Sequence, residues 1–419
     1  MKFAHMADAH LGAFSKNPVL RDLNVRAFEK AIMKSIEEQV DFIIIAGDLF
    51  HNPIPDMGIV QRAVEIMKKA VESGIRIYTV YGSHDFSAGS TSLMDVLAST
   101  GLFRKVVNYE VVNGKLRLNP VRDETGVSIV GMSGLSSAQE IEYFEHIDRE
   151  YLENLSSPKI FVFHTTISEV KPSYIPDKYA LPKSMLPSGF DYYAAGHLHE
   201  IIKSDIEGSP LIYPGALFGA TYNDLDMLKE RGFFIVEDFK PRFVPIEVCK
   251  IYKKVINADG LSAGELEEKL KEFANGDFDG QVIILKIRGK LRSGAVGDID
   301  FHSIRERIKE RALDLLINTY ALSSAERRRL NVVAETAEEI ENEVFKRISK
   351  YGLQTTRRVF EILRERQPEG MHKNDYYERL VTEIYEVVDH LNQKRGEEER
   401  EEEEKRKSGK TIFDYGVGA

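Results

Sequence analysis

The 419-residue sequence predicts an α/β protein: a layered α/β domain, then a smaller α+β domain, then a helical C-terminal region. Three observations predict it. Up to residue 236, short apolar runs alternate with amphipathic stretches of helical period, as in a sheet covered by helices. After Pro241 the elements become a compact series of strand, helix, strand, helix and strand. From residue 334 the chain is helical, charged and poor in glycine, broken by the turn signal Gln367-Pro368-Glu369-Gly370.

In the first domain (1–240), strands are expected at 3–7, 42–46, 75–81, 127–131, 160–164 and 192–195, with 211–213 and 232–236 as later members. Helices are expected at 22–39, 56–73, 90–99 and 138–154. The second domain (241–333) places strands at 253–258, 281–291 and 314–321 and helices at 263–275 and 301–311. In the third region (334–419), Val344, Phe345 and Ile348, then Val359, Ile362 and Leu363, then Tyr377, Leu380, Val381, Ile384, Val388 and Leu391 recur at helical spacing. Such a stripe must bury against its own chain or another protein. After a charged tail, Ile412-Phe413-Asp414-Tyr415-Gly416 forms an apolar island.

Composition narrows the function. With 42% hydrophobic and 30% charged residues the chain is not disordered as a whole. Lysine and arginine number 57 against 67 acids, a formal charge of -10, so any nucleic-acid affinity must be local. Residues 397–404 hold seven of those glutamates in a solvated tail. A single cysteine, Cys249, cannot close an intramolecular disulfide, and no apolar run reaches the ~20 residues of a bilayer span. A cytoplasmic protein is expected, with no membrane contact.

The chemistry lies at the ends of the strands. Five of them run out into metal-ligand types: Asp8-Ala9-His10, Gly47-Asp48, Gly82-Ser83-His84-Asp85, His164, and Gly196-His197-Leu198-His199. In an open α/β sheet the C-terminal strand ends form the ligand crevice, so these segments can converge although far apart in sequence. In extended chain, residues i and i+2 share a face, which lets Asp8 with His10, and His197 with His199, aim at one centre. Imidazole mixed with carboxylate suits manganese, iron or zinc. Two aspartates and four histidines exceed one tetrahedral zinc, and one carboxylate can bridge two ions ~3.5 to 4 Å apart.

This ordered set, together with Asp-Ala-His-Leu-Gly at 8–12 and Gly-Asp-Leu-Phe-His at 47–51, closely resembles the calcineurin-like metallophosphoesterases, and among them the SbcD-type nucleases of double-strand-break repair. The resemblance implies a layered β-sandwich flanked by helices, a small capping domain and a helical region. It implies a manganese-dependent DNA nuclease, both double-strand exonuclease and single-strand endonuclease, with two Mn2+ per chain. Asp8, His10 and His199 would take one ion, His164 and His197 the other, and Asp48 would bridge them. His84 would contact the scissile phosphate and help the leaving oxygen depart; His51 would contact substrate. Asp85 either orients His84 or serves the turn. The implied partners are DNA, a second copy of the chain, and an SMC-like coiled-coil ATPase held by the C-terminal helices. Location at the nucleoid is implied with them.

At 82–85 the superfamily usually has Gly-Asn-His-Asp, and Ser83 replaces the asparagine carbonyl with a hydroxyl. Ser83 either ligates directly or acts through a water. In the second domain Lys286, Arg288, Lys290 and Arg292 alternate, giving one basic face that either grips phosphates or protects an edge strand. Two other functions remain open: another phosphoesterase of the same fold, and a DNA-end-binding scaffold for the ATPase.

Overall fold

The computed structural model describes residues 1–85, 91–135, 138–324, 341–342, 345, 353–368 and 376–387. By its internal contacts the chain divides into two units, 1–325 and 326–419.

Two six-stranded sheets lie face to face in the first unit. One runs β14 (Lys240–Pro245), β13 (Gly232–Glu237), β1 (Lys2–Met6), β2 (Phe42–Ala46), β3 (Arg76–Val80), β4 (Arg104–Lys105). The other runs β11 (Ile202–Ile206), β12 (Ser209–Tyr213), β10 (Tyr192–Gly196), β9 (Lys159–His164), β8 (Ser128–Met132), β7 (Val121–Arg122). The central strands of both are parallel, β1 to β2 to β3 and β8 to β9 to β10.

Parallel strands buried on both faces read as unbroken apolar runs, and alternation then sorts each residue to one of two cores. In β2, Phe42, Ile44 and Ala46 point between the sheets and meet Ile160, Val162, Tyr192 and Ala194. Ile43 and Ile45 point outward, under the helices α1 (Pro18–Glu37) and α2 (Met57–Glu72). In β9 the outward residues Phe161 and Phe163 pack with Phe144 and Leu152 of the second helical layer. The result is helix, sheet, sheet, helix, with the C-terminal ends of β1, β2, β3, β9 and β10 at one edge.

The long apolar strands and α1 and α2 lie where the sequence predicts them, within a few residues. The short strands β4, β7 and β11, and the hairpin β5 (Tyr109–Val112) and β6 (Lys115–Leu118), are half-exposed and carry no such run. The third helix is α3 (Leu93–Ser99). The single helix expected at 138–154 is two, α4 (Glu140–Glu145) and α5 (Arg149–Glu153). Between them Leu116 of β6 takes the chain into a strand-like bridge, donating to the His146 carbonyl at 2.7 Å and accepting from Asp148 N at 2.8 Å. Asp148 then caps the second helix at Tyr151 N.

After α6 (Tyr222–Met227) and β14, the small sheet runs β15 (Lys250–Asn257), β16 (Gln281–Lys290), β17 (Asp314–Asn318), with β18 (Leu322–Ser323) also on β16. Ile283, Leu285 and Ile287 face α7 (Ala263–Phe273) and α8 (Phe301–Lys309). Val282 and Ile284, on the opposite face, join the core under α1. Asn17 donates to Asp314 across the same junction.

In the second unit, α9 (Leu353–Arg364) buries Ile362, and Phe345 and Leu380 are also buried, whereas Leu363, Tyr377, Val381 and Tyr385 are exposed. Val344, Ile348, Val388, Leu391, the charged tail and the apolar island at 412–416 lie outside the described residues. Among the described residues no helix is long and apolar enough to cross a membrane.

Candidate metal centre

The five strand-end segments meet at one edge of the sandwich. The chain turns there through left-handed backbone at Asp8 (φ 52°), His10 (φ 45°), Asp48 (φ 51°) and His197 (φ 95°). Such a conformation costs a side-chain-bearing residue of order 1–3 kcal/mol and persists only where neighbours enforce it. They do so here: Asp8 N donates to the Gly47 carbonyl (3.1 Å), His10 N to that of Asp48 (2.9 Å) and Leu11 N to that of Leu49 (2.8 Å). Asn24 of α1 holds the Ala9 carbonyl through its Nδ2 at 2.8 Å. Gly82 is required by close approach, because a Cβ there would lie 2.0 Å from Asp48 Oδ1.

Three groups of ligand atoms result among the described residues: one, His10, His51 and His84, is all imidazole, and the other two contain a carboxylate. In these two sets, the atoms of Asp8, His10 and His199 lie within 4.8 Å of one another, as do those of Asp48, His164 and His197. Asp48 Oδ2 stands between the sets, 3.5 Å from His10 Nε2 and 3.2 Å from His164 Nε2. His10 Nε2 is 3.0 Å from His199 Nε2. Both oxygens of Asp8 accept from His197 N, at 3.2 and 3.1 Å.

The donor set fits divalent cations. His164 Nδ1 donates to the Ala46 carbonyl (2.8 Å) and His199 Nδ1 lies 3.0 Å from Asp224 Oδ2, so both rings turn Nε2 inward, as histidine ligands do. His164 Nε2 is buried and makes no hydrogen bond of proper geometry, although Asp48 is near. A buried nitrogen left so calls for a further partner, and an ion is one.

Electrostatics agree. Burial raises Asp8 to about 6, against the pull of His164 and His199. Burial would raise Asp48 too, but His164 and His10 outweigh it and hold the carboxyl well below the usual range. Burial opposes charge on His164, yet Asp48, Asp8 and the Ala46 carbonyl push it up to about 10. His197, buried beside His164, falls to about 3, and burial also holds His10 low. Asp48 and Asp8 thus favour positive charge at His164, a charge that a divalent cation can supply in place of a proton.

His84 and His51 form the rim. The His84 ring is exposed, 4.9 Å from that of His10 and stacked 5.2 Å from that of His51. Its Nδ1 is 2.7 Å from the His51 carbonyl and its backbone N donates to Asp48 Oδ1 at 2.9 Å. Asp85 does not orient it. The Asp85 carboxylate, which burial raises to about 7, accepts from Gly82 N, Leu49 N and Phe50 N and ties two loops together. Ser83 lines a depression of about 330 Å³ with His164, His197, Thr166, Tyr174 and Tyr179.

The basic strand departs from expectation. β16 is an interior strand, so its charges do not protect an edge. Lys286 pairs with Asp226, and Arg292 lies beyond the strand and pairs with Glu265 at 3.0 Å. Only Arg288 and Lys290 of the four stand exposed on β16. Sequence reasoning missed Asn24 and Asp224, although Thr221-x-x-Asp224 carries the capping-box pattern of a helix start.

Comparisons with known proteins agree with this geometry. The calcineurin-like phosphoesterase family matches residues 1–200. The DNA double-strand break repair protein Mre11 of Archaeoglobus fulgidus is 30% identical over 430 residues, covering 96% of this chain and 89% of that one. Mre11 of Methanopyrus kandleri is 29% identical over 282 residues, covering 65% and 62%. Mre11 of Methanococcus maripaludis is 29% identical over 203 residues, covering 48% and 52%. The first of these matches covers 96% of the chain, well past residues 1–200, and on that extent the chain belongs to the family of the DNA double-strand break repair protein Mre11, within the calcineurin-like phosphoesterases.

Proposed function

We propose that this chain is a metal-dependent DNA nuclease of double-strand-break repair that uses two Mn2+ ions at the edge of the sandwich. The observation that carries the proposal is Asp48 Oδ2, set between a ligand group of Asp8, His10 and His199 and one completed by His164 and His197. When bound, divalent cations there supply positive charge to the phosphoryl oxygens and make water ionisable near neutral pH.

The chain's own residues do the rest. The His84 ring is exposed at the rim and the His51 carbonyl can accept from its Nδ1–H, so the neutral ring offers a lone pair at Nε2 and the doubly protonated ring can give its Nε2 proton to a departing oxygen. His51, half-buried against it, limits how a phosphate can approach. Ser83 stands on the His164 and His197 side, where it ligates directly or through water. Arg288 and Lys290 of the cap, with Arg292 after release from Glu265, offer cations to the DNA backbone.

The domain roles extend the proposal: a nuclease domain at 1–240, a DNA-binding cap at 241–333, and a helical region at 334–419 that binds an SMC-like ATPase. Exposed Leu363, Val381 and Tyr385 support that last role. Exposed Ile54, Met57 and Val96 support a homodimer, whereas Met67 and Leu97 belong to the chain's own core. A DNA substrate supports action at the nucleoid.

Two experiments test this reading. Protein stripped by chelator should leave linear DNA intact, and added Mn2+ should restore cleavage without creating activity on phosphopeptides. Cleavage by a sample shown free of metal would refute the mechanism. In a salt series, Arg288→Gln with Lys290→Gln should weaken DNA binding and flatten the slope of log K against log salt by about 0.9 per phosphate that the two side chains engage. An unchanged slope would remove this face from the interface.

A further inference from the structure

The six-residue helix α6 touches both the metal centre and the small sheet. On one side is the metal centre. Asp224 Oδ2 accepts from Ala220 N (2.8 Å) and Thr221 N (2.9 Å) and faces His199 Nδ1 at 3.0 Å. Thr221 Oγ1 accepts in return from Asp224 N at 3.1 Å. Arg231 clasps the segment from behind, donating to the carbonyls of Phe218, Asp224 and Leu225. The approach to this turn needs glycine: Gly219 has φ +116°, and a Cβ on it would come 2.8 Å from that of Asp224. On the other side is the cap. Asp226 pairs through its carboxylate with Lys286 of β16, and its carbonyl accepts from Lys253 of β15.

We propose that Asp224 is the positioning residue of His199, and that the cap, through Lys286 and Asp226, steadies the helix that carries it. The inference rests on the reading of Asp8, His10 and His199 as a metal-binding set.

Tautomer and ring angle decide how a histidine meets an ion. Either nitrogen can ligate, and the partner of the outer nitrogen decides which lone pair is offered and in what plane. For His164 that partner is the Ala46 carbonyl, part of β2, which cannot move apart from the sheet. For His199 it is a side chain on a short helix outside both sheets. Among the described residues it is the one histidine of the two sets backed by a carboxylate outside them. Its aim therefore depends on where α6 is held, and Lys286 and Lys253 hold α6 from the cap. The salt bridge that removes Lys286 from the basic face thus acquires a use of its own.

The test is a Mn2+ titration of the chelator-stripped full chain by calorimetry, with the melting temperature recorded without metal. Wild type is expected to take up two ions. Asp224→Ala should weaken one of the two sites by about 10- to 100-fold, the range for loss of a residue behind a metal ligand, and leave the other unchanged. Asp224→Asn, which keeps an acceptor oxygen in place of Oδ2 although without the charge, should recover part of that loss. Lys286→Met should weaken the same site several-fold. Asp224→Ala with wild-type affinities would overturn the positioning role, as would equal loss at both sites with a lowered melting temperature, which marks collapse of α6. Asp224→Asn no better than Asp224→Ala would also overturn it. Lys286→Met without effect would overturn the link to the cap. Failure of wild type itself to bind Mn2+ would instead sink the metal-centre reading, and this inference with it.

Discussion

His84→Ala is expected to lower DNA cleavage by about 10²- to 10⁴-fold, the range for loss of a general acid, while metal content and DNA binding stay close to wild type. The separation of effects comes from position. The imidazole is exposed at the rim and belongs to neither of the two ligand sets built around Asp48 and Asp8. The contact that this residue makes with Asp48 is through its backbone N, which alanine keeps. What is lost is the exposed imidazole proposed as the proton donor, whose Nδ1 is engaged by the His51 carbonyl. Single-turnover cleavage, metal analysis and fluorescence anisotropy on the same sample separate the alternatives. Full activity would move the acid role elsewhere. Loss of bound metal would make His84 a ligand, a role its closeness to His10 and His51 leaves geometrically available.

A larger and different effect is expected at Asp48. Its Oδ2 faces both ligand sets, so Asp48→Ala should reduce the number of Mn2+ ions retained and abolish cleavage. If the cations contribute several kcal/mol to the transition state, a loss of about 10³-fold or more is expected, at 1.36 kcal/mol per factor of ten. Stability should suffer as well. The carboxylate is the partner of a buried His164 and the acceptor for His84 N, and breaking a buried charged pair costs about 3–5 kcal/mol. Denaturant unfolding of the metal-free protein measures that part, and Asp48→Asn, which keeps an acceptor for His84 N, should restore some of the stability without the activity. Retention of two ions with normal cleavage would remove Asp48 from the centre of the mechanism.

Both residues could be singled out from sequence because each comes after a strand that is buried on both faces. Such strands must be apolar from end to end, so a histidine or aspartate marks where the chain leaves the sheet, and parallel strands leave it at one edge. Residues 42–46 with Gly47 and Asp48 after them display the pattern most plainly. The resemblance of the motifs then added roles that spacing alone does not assign.

Other features depend on a partner distant in sequence. The helix expected at 138–154 is interrupted because Leu116 pairs with the chain at Ile147, which no local periodicity announces. Asp85 reads equally well as an orienting group or a turn residue until Leu49 N and Phe50 N are found on its carboxylate. Lys286 belongs to a basic stripe in the sequence and to a salt bridge with Asp226, 60 residues away, in the fold. Asp224 lies 25 residues beyond His199 and has no motif of its own beyond a helix cap.

The sequence by itself determined the layered α/β architecture and the edge at which the site forms, since burial on two faces is a local property; the i, i+2 geometry of extended chain expected at 8–10 and 197–199 gave way to left-handed turns at Asp8, His10 and His197, which the neighbouring loops enforce. Only the tertiary structure decided which nitrogen His164 and His199 turn inward, which charges are already paired, and that Lys286 of the small sheet is tied to α6 behind His199. Those depend on hydrogen bonds and ion pairs between segments tens to nearly two hundred residues apart, whose partners are set by packing.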